Sequence, residues 1–163
     1  MNEEKRVDIE KPQGHFCFAC GTANPIGLNL KFYQLGDAVC SDVTLGKYHE
    51  GWQDIAHGGI ISTLLDEVMS WAIMYSKKTF LVTRKIDIKY VRNVMIGTPL
   101  TVTGKLIDDT NPPKIRAKAE IRDAEGHLLV RSNAEFVVLP EEKFSSVPAS
   151  FKNQMASLFK SFE

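Results

Sequence analysis

Between Ile60 and Ile73 the apolar residues come in adjacent pairs every four positions, at 60/61, 64/65, 68/69 and 72/73. At 3.6 residues per turn this draws a broad apolar stripe along one side of an α-helix, so the chain has to fold around a long helix built for burial. Asp66 falls nearly opposite the middle of that stripe, with Ser62 and Ser70 one turn to either side. His57-Gly58-Gly59 leads straight into the helix. The two glycines let a backbone or a ligand come close to the first turn, where unpaired N–H groups and the helix dipole favour negative charge. With a carboxylate two turns further in, such a start suits a site that polarises a carbonyl and delivers water to it.

Around this helix the pattern has period two. Leu28, Leu30 and Phe32 alternate with Asn29 and Lys31, Gly36-Asp37 makes a turn, and Val39 to Leu45 reads as the partner strand of a hairpin. After the helix, Ile86, Ile88 and Tyr90 alternate with charged residues, as do Ile115, Ala117, Ala119 and Ile121, while Leu100 and Val102 alternate with threonines. Asn111-Pro112-Pro113 is a loop tip and Asp123 to Gly126 a turn. Leu128 to Leu139 is a long last strand, stopped by Pro140. About six antiparallel strands with one dry face, wrapped around one very apolar helix, make an α+β layer arrangement.

A length of 163 residues predicts one domain, over 15–140. Residues 1–14, charged and carrying Pro12 and Gly14, read as a polar, loosely attached lead-in. Within 141–163, Phe151, Met155, Leu158, Phe159 and Phe162 fall at helical spacing, which predicts an amphipathic helix over 149–162 that docks on the body or on a partner subunit.

Twenty basic residues balance twenty acidic ones, so the overall charge points neither to nucleic acid nor to an anionic membrane. No apolar run approaches a membrane span, and the polar first residues lack the apolar core of a signal peptide. Three cysteines, an odd number, argue against a disulfide framework and fit a reducing cytoplasm. His15-x-Cys17-x-x-Cys20 offers three zinc ligands, with Cys40 as a possible fourth. A closed zinc site needs four, so the cysteines are expected to pack as small apolar side chains in a turn-rich cap, without stoichiometric zinc. His15, His49, His57 and His127 are too scattered for a zinc-hydrolase set, and no phosphate-binding or dinucleotide Gly-rich motif is present. No cofactor is called for.

His57-Gly58-Gly59 with Asp66 nine positions after the histidine resembles the hot-dog-fold acyl-CoA thioesterases of the kind found with phenylacetate degradation. His49-x-Gly51 ahead of the turn is similar too, as are the strand-like Thr83 to Tyr90 and the Cys-x-x-Cys-Gly…Asn-Pro-x-Gly-Leu opening from Cys17 to Leu28. The resemblance covers roughly residues 15–140. It implies a hot-dog fold and hydrolysis of an acyl-CoA thioester to a free acid and coenzyme A. The Gly58 N–H, aided by the helix dipole and His57, would stabilise the oxyanion. Asp66 would act as general base or as nucleophile. Thr83 aligns with a residue that holds the attacking water or the acid, and Glu67 is left as surface or structural. Gly51 stands where several relatives carry an amide side chain. The resemblance also implies a homodimer or a dimer of dimers with the site between subunits. The amphipathic stripe of the C-terminal helix has a second reading beside docking, a flap over an acyl tunnel. A non-catalytic acyl-CoA binder and an acyl-thioester hydratase or dehydratase are the alternatives, though residues 60–76 lack the helix-borne histidine usual for the latter.

Overall fold

The computed structural model describes residues 4–162; the remaining residues of the lead-in (1–3) and of the C-terminal segment (163) lie outside the described residues. In chain order the elements are β1 (Val7–Ile9), β2 (Phe32–Leu35), β3 (Ala38–Thr44), β4 (Glu50–Trp52), β5 (Ile55–Ala56), α1 (Gly58–Lys77), β6 (Leu81–Tyr90), β7 (Pro99–Asn111), β8 (Lys114–Asp123), β9 (Leu128–Val138) and α2 (Ala149–Ser161). Seven strands form one antiparallel sheet in the order β1-β2-β3-β7-β8-β9-β6, and β4 and β5 make a separate ribbon just before α1. The helix packs against β3, β6, β7, β8 and β9, so the sheet wraps it as in the hot-dog fold. No helix among the described residues is long and apolar enough to cross a membrane.

The stripe on α1 is the centre of the core. Ile61, Leu64, Leu65, Val68, Met69, Trp71, Ala72 and Ile73 are all buried. Each large side chain among them contributes roughly 1.5–3 kcal/mol of burial, an upper figure because the unfolded chain is already partly compact. The inner sheet face receives the helix with small residues, Gly104, Ala117, Ala119 and Ala134, all buried. Gly104 is the closest approach: a Cβ there would stand 2.7 Å from the Val68 carbonyl oxygen and 3.1 Å from the Met69 nitrogen.

Several segments differ from the sequence expectation. The lead-in is not loose throughout, because Val7–Ile9 pairs with Phe32–Gln34 as the edge strand β1. The first hairpin strand begins at Phe32 rather than Leu28. Asn29 sits at φ 46°, which breaks an extended run, and the Leu28 and Leu30 N–H groups bond instead to the Phe18 and Ala19 carbonyls. The amphipathic tail is helical over Ala149–Ser161 and lies on the body. Met155 and Leu158 are buried, Phe159 meets Phe80, and Phe162 meets Tyr75.

Candidate active site

The start of α1 is held by a small network. His57 is the N-cap, and its Nδ1 accepts the Gly59 N–H at 2.9 Å, while its own N–H is bonded to the His49 carbonyl in the turn ahead of β4. One ring nitrogen of His57 is therefore committed to the cap. The Gly58 carbonyl accepts from Ser62 Oγ at 2.8 Å and from Tyr90 Oη at 3.0 Å, tying the first turn to the end of β6. The Gly58 N–H makes no hydrogen bond among the described residues, so it stands at the positive end of the helix dipole as a free donor. Neither Ser62 nor Tyr90 was picked out from sequence. Ser62 lies one turn on from Gly58, a spacing that hints at the bond, but nothing local marks Tyr90.

Asp66 is half-buried rather than fully solvated, because the first residues of β6 lie over its side of the helix. Thr83 Oγ1 donates to Asp66 Oδ1 at 2.6 Å. The ladder between β6 and β9 slips between Thr83 and Lys85, and such a bulge re-aims a side chain, here from the edge of the sheet toward the helix. Burial pushes the Asp66 pKa above the usual carboxylate value, while the hydrogen bond from Thr83 pulls against it. The result is a carboxylate steadied at one oxygen, with a raised proton affinity, facing a strand edge.

These residues form two groups. Asp66 and Thr83 are together, as are His57 and Gly58, but eight residues of helix separate Gly58 from Asp66, a rise of about 12 Å. No thioester carbonyl touches both within one chain. A concavity of about 820 Å³ lies elsewhere, on the outer sheet face among Lys89, Lys105, Lys118, Glu120 and Arg131, and includes none of the four.

A further cluster lies beside Asp66. Glu67, on the next position of α1, is half-buried; its Oε1 accepts from Trp71 Nε1 at 3.0 Å and stands 3.9 Å from Cys17 Sγ. Burial, and after it the neighbouring Cys17, pushes the Glu67 pKa up to about 7. Cys40 lies apart from this cluster, with Sγ 3.6 Å from Thr103 Oγ1 and packing against Tyr33 and Ala38, so it cannot complete a ligand set with Cys17 and Cys20.

With this geometry in hand, the chain compares with known proteins as follows. The family model described as thioesterase superfamily matches residues 53–129. Among curated proteins, verlamelin biosynthesis protein B of Lecanicillium sp. is 28% identical over 142 residues, covering 70% of this chain and 57% of its own length. Among solved structures, protein RHA08564, a thioesterase superfamily protein, superposes with a TM-score of 0.66 at 30% identity, covering 71% of this chain and 56% of that one. The smu.793 protein of Streptococcus mutans UA159, solved bound to acetyl CoA, gives a TM-score of 0.62 at 18% identity, covering 68% of this chain and 89% of that one. The chain thus spans just over half the length of the first two.

Proposed function

We propose, from the match of residues 53–129 to the thioesterase superfamily, that the chain hydrolyses an acyl-CoA thioester to a free acid and coenzyme A. The observation that carries the reading is the pairing of Asp66 with Thr83 on one side and the free Gly58 N–H at a helix start on the other. A tetrahedral intermediate needs a donor for its oxyanion and a base for the water that forms it. The Gly58 N–H, reinforced by the helix dipole, is the donor. Asp66, held by Thr83 at Oδ1 and open at its other oxygen, takes the proton from water. His57 keeps the turn in register through its cap on Gly59. Coenzyme A as the leaving group is consistent with the acetyl CoA bound by the structurally similar streptococcal protein. A helix-borne histidine, as a hydratase would use, is missing from α1, where His57 serves only as the cap. Release of free thiol from a panel of short, aromatic and long acyl-CoAs tests the reading. At least one should turn over with kcat/KM above about 10⁴ M⁻¹s⁻¹; a protein that binds acyl-CoA and releases no thiol is a binder instead.

The distance of about 12 Å between donor and base supports a shared site, in which Gly58 of one subunit works with Asp66 of the other. The sheet offers the means. β6, which carries Thr83, is an edge strand ten residues long, with Val82 and Tyr90 about half exposed, and long bare edges are normally paired or covered. A homodimer, or a dimer of dimers, is therefore expected by light scattering at micromolar concentration. Mixing two inactive variants probes the sharing directly. Gly58→Pro removes the N–H at the first helical position, where proline is tolerated, and His57 before it is already extended at ψ 133°. Refolded together with Asp66→Asn, half the dimers should be mixed, each with one intact site, restoring about a quarter of wild-type activity. No recovery from a mixture shown to exchange subunits would place the site within one chain.

A further inference from the structure

We propose that Cys17, Cys20 and Glu67 form a binding site for a divalent, thiophilic cation of the zinc type, fastening the N-terminal turn to the middle of α1. The two thiols and one carboxylate oxygen all lie within 4.8 Å of one another. Zinc bound tetrahedrally at about 2.3 Å to sulfur and 2.0–2.2 Å to oxygen holds its ligand atoms roughly 3.6–3.8 Å apart. The Cys17 Sγ to Glu67 Oε1 distance, 3.9 Å, is within about 0.3 Å of that spacing. Expecting no zinc rested on ligands counted near one another in sequence. The fold removes Cys40 from that count and adds Glu67, fifty residues downstream of Cys17.

The turn is built to present its sulfurs. The Cys20 N–H points at Cys17 Sγ at 3.5 Å, and the Gly21 N–H closes the loop on the Cys17 carbonyl at 2.9 Å. The closure is tight enough that a Cβ at Gly21 would stand 2.5 Å from the Cys17 carbonyl oxygen and 2.6 Å from that of His15. N–H groups directed at a sulfur favour the thiolate, the form that binds metal. Lys11 is fixed beside the cluster, with Nζ bonded at 2.9 Å to both the Cys20 carbonyl and Asn29 Oδ1. Two thiolates and a carboxylate carry three negative charges, which a divalent cation and the Lys11 ammonium balance. Cys17 is exposed and gives the ion a way in, whereas Cys20 is buried and Glu67 half-buried. Three protein ligands leave one position for water.

The test uses the full chain, reduced and stripped with a chelator, then titrated with Co²⁺ and with Zn²⁺. One equivalent should bind, with a thiolate-to-cobalt charge-transfer band, and Zn²⁺ should displace the cobalt and raise the melting temperature. Cys17→Ser and Glu67→Gln should each weaken binding by on the order of tenfold or more, and Cys17→Ser should also diminish the band. Because Cys20 is buried and its replacement could unfold the chain, these two variants carry the test, with circular dichroism confirming their fold. Asp66→Asn should keep both the band and the stoichiometry whatever its activity. Absence of saturable binding to the folded wild type, or affinity unchanged in both variants, would overturn the proposal.

Discussion

Replacing Asp66 with asparagine should lower kcat for the best acyl-CoA by at least about a hundredfold while leaving the fold and KM nearly unchanged. A well-placed general base contributes on the order of 10²–10⁴ in rate, and asparagine keeps the shape of the side chain while removing its basicity. The fold should survive because the asparagine oxygen can still accept the bond from Thr83 Oγ1 that now reaches Asp66 Oδ1 at 2.6 Å. Thr83→Val separates support from chemistry. It deletes a hydrogen bond to a charged group, about 1.5–3 kcal/mol, and so should cost roughly ten- to a hundredfold in kcat. The two losses should not add in the double variant, since a threonine that acts through Asp66 has nothing to steady once the carboxylate is gone. A folded Asp66→Asn enzyme working within a few-fold of wild type would remove the hydrolytic mechanism and leave an acyl-thioester-binding protein.

What could be read from the sequence follows the range of the forces involved. The α1 stripe is a local periodicity, and its large buried residues other than Trp71 are visible in the spacing of 60/61 to 72/73. The same holds for β8, where Ile115, Ala117, Ala119 and Ile121 alternate cleanly and face the helix. β1 was missed because three residues in a charged stretch carry no period, and the strand exists only through its pairing with β2. β7 runs to Asn111, well beyond the expected Leu100 to Thr103, because slips in its ladder at Leu106/Asp108 and Asp108/Asn111 scramble the alternation. At the site, Asp66 and the His57-Gly58 start were legible as a motif. The bulge that turns Thr83 onto Asp66 was not, since nothing in Thr83-Arg84-Lys85 announces an extra residue. Glu67 shows the limit most plainly. A helical acid beside another acid reads as surface, and only the return of the 17–20 turn onto α1 makes it a half-buried neighbour of two thiols.

Alanine at Gly104 should be the most damaging small substitution in the sheet. Strand β7 crosses α1 here so closely that the new Cβ would meet backbone alone: the Val68 carbonyl oxygen at 2.7 Å, its carbon at 2.9 Å and the Met69 nitrogen at 3.1 Å. A side-chain tip could swing away, but main-chain atoms in the middle of a buried helix move only if the helix moves. Val68 and Met69 are both fully buried, so lifting the helix would open gaps along the stripe. Overpacking of this kind costs about 1–3 kcal/mol, occasionally more. For a chain of this size each kcal/mol is worth about 2–4 °C, so the melting temperature should drop by roughly 2–12 °C. Gly46→Ala is the comparison. Its backbone, at φ −106°, suits any residue, and a Cβ there meets nothing within 4 Å. It should melt within about 0.5 kcal/mol of wild type. Equal melting of the two variants in scanning calorimetry would mean that β7 and α1 are further apart than described. The close helix–sheet contact that positions Asp66 under Thr83 would then have to be redrawn.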